Sequence, residues 1–198
     1  MNKEWIKKLA NDVEMRHGRE AADKIFGDID NFTSTPETLS VWFENFTSGM
    51  DELNDKEFLQ QMMVKHCPCG GGYEEDGKRY KELYDESKDL NEFVSLLEKY
   101  WDENYGGDRT ELRGNVLYLT KPNDEPKPTE SCGARCHCEL ACNTIKPVSD
   151  IFCYCCTIGH TGRPFQHAFG TDIKMEFVES IICGGKDCVM TVHLPKKD

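Results

Sequence analysis

Sulfur is where this chain could do chemistry. Its eleven cysteines comprise Cys67 and Cys69 either side of Pro68, the run Cys132-x3-Cys136-x-Cys138-x3-Cys142, the group Cys153, Cys155 and Cys156, and finally Cys183 and Cys188. Thiolates are strong soft ligands and, once deprotonated, nucleophiles. Short Cys spacings of this kind serve metal binding or redox chemistry in reducing surroundings. Cys136 and Cys138 could give two thiolates to one centre, with more sulfur just downstream. Tetrahedral zinc suits such a set. An iron–sulfur cluster is the alternative, disfavoured because neither usual ferredoxin spacing is present.

The metal-ligand candidates are therefore Cys67, Cys69, Cys136, Cys138, Cys153, Cys156 and His160. If residues 153–167 form one α-helix, Cys153, Cys156, His160 and His167 fall on one stripe, at offsets of three, seven and fourteen. The bland alternative is that Cys153 and Cys156 are small buried hydrophobes. Cys183 and Cys188 read as packed residues flanking a turn. His66-Cys67-Pro68-Cys69 and the three glycines after it could form the second half of the same site, or simply end a helix in a loop. Glu179 stands among apolar neighbours on its strand. A carboxylate there needs a base or a cavity, or sits at a local bulge. Cys153, Cys156, Glu179 and His160 are also the candidates for a catalytic role, with a thiol as nucleophile and His160 or Glu179 as base.

The elements that must hold these groups change type along the chain. The first hundred residues read as helices: Trp5, Ile6, Leu9 and Val13 keep a helical period that Gly18 stops. Thr35-Pro36 opens a segment carrying Leu39, Trp42, Phe43 and Phe46 on one face. Asn54 with Glu57, and Asp89 with Glu92, resemble capping boxes ahead of further apolar stripes. Residues 115–120 read as a strand and 121–131, with three prolines, as a loop. Residues 151–169 predict a helix that Pro164 kinks or restarts. Strands over 172–182 and 188–194 follow, joined at Gly184-Gly185. In the first, Lys174, Glu176 and Ser180 point outward; in the second, Thr191 and His193 do, against Cys188, Met190, Val192 and Leu194. The expected fold is α+β, an N-terminal helical segment packed on an antiparallel sheet, with a C-terminal helix–β-hairpin ligand-binding unit. Residues 1–110 form the helical region and 111–198 the Cys-rich α/β region of one compact domain.

Composition narrows the partners. With 24 basic and 36 acidic residues the net charge is −12, which disfavours nucleic acid and anionic membrane surfaces. The N-terminus enters a charged amphipathic pattern directly, with no apolar signal segment, and no run approaches a membrane span. A cytoplasmic location with reduced thiols follows as the expectation. A homodimer is compatible with it.

The C-terminal third resembles a known family. Phe152-Cys153-Tyr154-Cys155-Cys156-x-x-Gly159-His160, then Phe165-x-x-x-Phe169-Gly170, then Met175-Glu-Phe-Val-Glu-Ser-Ile-x-Cys183-Gly-Gly-x-x-Cys188-x-x-x-Val192 is similar to the 4-vinyl-reductase-like small-ligand-binding domain. It also resembles that domain's Cys-rich bacterial relatives, including the L-2-amino-thiazoline-4-carboxylate hydrolase-like family, which Cys136-His137-Cys138 fits too. The resemblance carries over Cys153, Cys156, Gly159, Glu179, Cys183 and Cys188. It implies helices on an antiparallel sheet around a small-molecule ligand, often with a cysteine-associated metal. The expected function is a cytosolic metal- or small-ligand-binding protein. The alternative, from the hydrolase relatives, is cleavage of C–N or C–S bonds in small cyclic or thiol-containing compounds.

Overall fold

The structure, a computed structural model, describes residues 3–29, 35–68, 72–105, 109–121, 141 and 149–197, without the side chains of residues 36, 37, 39 and 40. Cys69, Cys132, Cys136, Cys138, Cys142 and the 122–131 loop lie outside what is described, as does the Leu39 side chain. The fold is α+β. Among the described residues six helices come first: α1 (Lys3–His17), α2 (Arg19–Phe26), α3 (Pro36–Glu52), α4 (Lys56–Lys65), α5 (Tyr73–Glu86) and α6 (Leu90–Asn104). Then come β1 (Arg109–Arg113), β2 (Val116–Lys121), the short α7 (Cys153–Cys156), α8 (Arg163–Phe169), β3 (Met175–Glu179) and β4 (Cys188–His193). Among the described residues, no helix is long and apolar enough to cross a membrane.

Local chemistry starts and stops these helices largely as their sequence predicts. Trp5, Ile6, Leu9 and Val13 are the buried stripe of α1. Thr35 and Thr38 cap α3 reciprocally, each backbone N–H bonding the other's hydroxyl at 3.0 and 3.3 Å. At α6 the Asp89 carboxylate accepts the Glu92 N–H at 2.9 Å and the Glu92 carboxylate accepts the Lys88 N–H at 2.7 Å. The Asn54–Glu57 box does not form. Asp55 is the residue before α4, and Asn54 takes φ of 52°. Asp55 turns its carboxylate instead to Arg16, at 3.0 Å, which ties α4 to α1.

The sheet order is β1-β2-β4-β3, antiparallel throughout. β1, whose Arg-Thr-Glu-Leu-Arg carries little β signal, escapes a reading by composition. It forms because Gly114 takes the positive φ that its turn into β2 needs, and because it pairs with β2 along its whole length. Leu117, Leu119, Met190 and Val192 make the buried face. Leu117 pairs with Val192 and Leu119 with Met190. α5, α6 and α8 cover that face through Tyr80, Phe93, Leu97, Trp101 and Phe165.

Two outward assignments need correction. Ser180 is buried, because β3 bulges between Phe177 and Glu179 and Ser180 then caps a 3-10 turn over Ile181–Cys183. Thr191 is buried as well. β4 is an inner strand, and Thr191 lies between Tyr118 of β2 and Glu176 of β3.

A second apolar cluster joins α1 to α4 with the segment that opens the Cys-rich half. Phe43, Phe46, Met50, Leu59 and Met63 meet Ile151, Phe152, Cys153 and Cys155 there. Phe152 stands edge-on to Phe43, with ring centroids 4.5 Å apart. Tyr154 packs against both clusters.

The ion pairs of α4 give a measurable contribution. Asp12 of α1, buried, accepts from Lys65 Nζ at 2.9 Å and pairs with His66 Nε2 at 2.7 Å. Burial alone pushes its carboxyl pKa up, but the hydrogen bonds from Lys65 and His66 outweigh it and hold the value below 3.8. Asp12→Ala is expected to lower stability by about 1–2 kcal/mol at pH 7. A depressed folded pKa contributes stability that is present at neutral pH and lost as pH falls through the folded value. Thermal melts of wild type and variant, well separated at pH 7, should therefore converge in strong acid.

Candidate thiol site

The stretch from 150 to 169 positions the site, and it is not one continuous α-helix. A 3-10 turn (Asp150–Phe152) leads into α7, then a π turn (Thr157–Thr161), then α8. The Thr hydroxyls help to open the π turn. Thr157 Oγ1 donates to the Cys153 carbonyl at 2.8 Å and Thr161 Oγ1 to the Cys156 carbonyl at 3.3 Å, while the Gly162 N–H reaches back to Thr157 O at 2.8 Å. Pro164 then falls in the first turn of α8, where its missing N–H costs nothing.

A π turn holds one residue more than an α turn, so the residues beyond it rotate by about 100° relative to those before. The predicted stripe of Cys153, Cys156, His160 and His167 therefore separates. His167 faces α5, where its Cβ lies 2.3 Å from the point a Cβ on Gly77 would occupy. His160 Nδ1 meets the Tyr73 hydroxyl of α5 at 2.9 Å. The Arg163 guanidinium lies over the Tyr73 ring at 5.1 Å and donates to Val64 O at 2.8 Å. Among the described residues, no three His, Cys, Asp or Glu side chains converge as a metal site would require.

Cys153 turns the other way, into the protein, and meets a sulfur thirty residues on. Cys153 Sγ and Cys183 Sγ are 3.7 Å apart. Ser180 Oγ sits between them, 2.9 Å from Cys153 Sγ, and donates to Cys183 Sγ at 3.0 Å. Three elements build this contact. Phe152 seats the head of α7 against α3. The 3-10 turn after β3 brings Ser180 and Cys183 onto one side. Gly184 takes φ of 94° to leave that turn, and Gly185 lets the chain pass 2.9 Å from Ser180 O where a Cβ would stand.

The electrostatics separate the two cysteines flanking the turn. The Cys153 hydrogen bond brings the Cys183 thiol down to about 7; burial opposes this, the Ser180 hydroxyl adds to it, and the carboxylates of Asp150 and Asp51 push back up. Burial pushes the Cys188 thiol up instead. Asp150 is ion-paired with Lys56 Nζ at 2.8 Å, and Asp51 accepts a hydrogen bond from Ser149 Oγ at 2.5 Å. Cys153 is buried and Cys183 half-buried, so solvent reaches the pair from the Cys183 side.

The other candidates occupy separate places. Cys67 lies at the end of α4, its Cβ 3.1 Å from where a Cβ on Gly159 would sit, and packs on the cluster that holds Cys153 and Cys155. Cys156 is half-buried at the end of α7. His66 bonds Asp12. Glu179 is half-buried at the bulge, its Oε2 3.1 Å from the corresponding point on Gly185. Sequence reasoning passed over Ser180 and the Tyr73 partner of His160, and read Cys183 as packing. A signal was available for the first: a serine three residues before a Cys-Gly-Gly is a side-chain cap for a tight turn.

An open cleft of about 330 Å³ lies elsewhere, lined by His17, Glu20, Lys24, Ile25, Gly49 and Glu52. Exposed charges rim it, with Lys24 and Glu52 paired across it, and it contains no thiol. In comparisons with known proteins, no family model and no curated protein matches the chain.

Proposed function

We propose that this protein is a cytoplasmic zinc-binding protein in which Cys153 and Cys183 supply two of the thiolate ligands. The observation that carries the reading is the 3.7 Å separation of their sulfurs, from segments far apart in the chain. A tetrahedral zinc with Zn–S bonds of about 2.3 Å sets neighbouring sulfurs about 3.8 Å apart. The spacing of the two sulfurs thus already matches that of two ligands on one zinc ion. Ser180 and the lowered Cys183 pKa support it further, since metal binding must first remove the thiol proton. Further thiolates are proposed from Cys136 and Cys138, which the sequence spacing offers for one centre and which lie outside the described residues. The resemblance to 4-vinyl-reductase-like domains agrees with a cysteine-associated metal. The hydrolase reading has less support, because the thiol with the lowered pKa neighbours a serine and a second thiol, while His160 bonds Tyr73.

Elemental analysis of protein purified without oxygen tests this. About one zinc per chain is expected, falling below about a tenth in a Cys153→Ala, Cys183→Ala double variant that keeps its helical circular dichroism. Wild-type protein that binds no transition metal, even after zinc is added, would overturn it.

A further inference from the structure

We propose that Cys183 is a hydroperoxide-reactive thiol and Cys153 its resolving partner, so that the pair closes to a disulfide joining the head of α7 to the β3–β4 connection. This rests on the same sulfur pair as the zinc reading and describes its regulation, because the disulfide withdraws both ligands. The asymmetry of the pair carries it. Cys183 is half-buried and Cys153 buried, so a soluble oxidant reaches Cys183 more readily and finds a second sulfur 3.7 Å away. The Ser180 hydroxyl donates to Cys183 Sγ and stabilises its thiolate before attack.

The step balances as follows. The Cys183 thiolate attacks the terminal peroxide oxygen. An S–O bond forms, the O–O bond breaks, and the alcohol or water leaves after taking a proton from solvent, leaving Cys183 as a sulfenic acid. Cys153 then attacks the Cys183 sulfur. The S–S bond forms, the S–O bond breaks, and water departs with the Cys153 proton. Two thiols have lost two electrons and the peroxide has gained them. Closure brings the sulfurs from 3.7 Å to about 2.05 Å. An external dithiol reverses it by exchange. The charged and titratable groups facing the pair are Asp150 beside α7, Asp51 of α3 and Cys188 of β4. The carboxylates disfavour the thiolate but also keep anionic oxidants away, leaving neutral hydroperoxides as the matching class.

The test treats the full chain, stripped of metal by a chelator and fully reduced, with one equivalent of hydrogen peroxide at pH 7, followed by peptide mass mapping. The expected product is a 153–183 disulfide, a loss of two hydrogens reversed by dithiothreitol, formed at least about fivefold faster than Cys188 is oxidised. In Cys153→Ser, Cys183 should instead be trapped by dimedone as the sulfenic acid. Oxidation that leaves Cys183 a thiol, or that links it chiefly to another cysteine in the wild type, overturns the proposal without any variant needing to fold. The same reaction with zinc added separates the two readings. Zinc that slows the disulfide supports both; zinc that does not, with the disulfide still forming, supports this one and removes the metal.

Discussion

Gly77→Ala is expected to lower the melting temperature by roughly 4–8 °C, although alanine is the better helix former. Two effects of opposite sign compete at this position in α5. Propensity favours alanine over glycine by about 0.8–1 kcal/mol in a helix interior. Against that, the new Cβ would stand 2.3 Å from His167 Cβ, 2.9 Å from Pro164 O and 3.3 Å from Ala168 N. Two of those are backbone atoms and the third is fixed to the backbone, so no rotamer change relieves them. α5 and α8 must separate, and with them the packing of Tyr80 against Phe165, whose ring centroids are 5.0 Å apart. Overpacking that moves backbone costs about 1–3 kcal/mol and sometimes more. A 2.3 Å approach to His167 Cβ puts Gly77 at the upper end of that range, so after the propensity gain a net loss of about 2 kcal/mol remains. Calorimetry under reducing conditions reads it directly, and Gly77→Val should be worse still. A Gly77→Ala protein that melts higher than wild type would mean that the two helices do not approach this closely.

Cys183 should alkylate at pH 7 roughly five- to eightfold faster than an ordinary thiol. A thiol titrating near 7 is half ionised there, whereas one at the usual 9.0 is about one part in a hundred thiolate. The roughly fiftyfold gain in thiolate is cut by the lower nucleophilicity of the weaker base, which leaves the smaller factor. Site-resolved iodoacetamide labelling of reduced, chelator-treated protein followed by mass mapping measures it, and the rate at Cys183 should rise with a midpoint near pH 7. Cys153→Ala removes the hydrogen bond that lowers the value most, so the midpoint should move up toward 9.0 and the advantage at pH 7 should shrink. The same shift has a stability consequence of definite sign. A folded value below the unfolded one favours the folded chain increasingly as pH rises from about 7 to 9, and that contribution is lost as pH falls through 7. A flat profile, or one unchanged in Cys153→Ala, would remove the thiol–thiolate contact from the account.

Local chemistry made much of the architecture legible. The Thr35 and Asp89 caps, the α1 stripe, the β2 strand and the Gly184-Gly185 turn all depend on residues within a few positions of each other, where side-chain hydrogen bonds and periodicity act without help from the rest of the chain. The helical N-terminal half, the antiparallel C-terminal hairpin and the concentration of sulfur that marks the candidate chemistry follow from such short-range signals. Tertiary structure decided which sulfurs meet. Cys153 and Cys156 share a helical stripe in sequence, yet Cys153 found Cys183, thirty residues on. No periodicity reports a contact across that distance. The π turn parted the histidines from that stripe: one additional residue in a turn, supported by two threonine hydroxyls and by Gly159 and Gly162 pressed against Val64 and Met175, rotates α8 away from the line that spacing predicts. In the same way the β3 bulge turned Ser180 inward, from a residue that alternation places in solvent to the hydroxyl joining two thiols. Alternation and helical period assume ideal geometry, and each defect breaks that assumption by one residue, which is enough to exchange a surface position for a buried one.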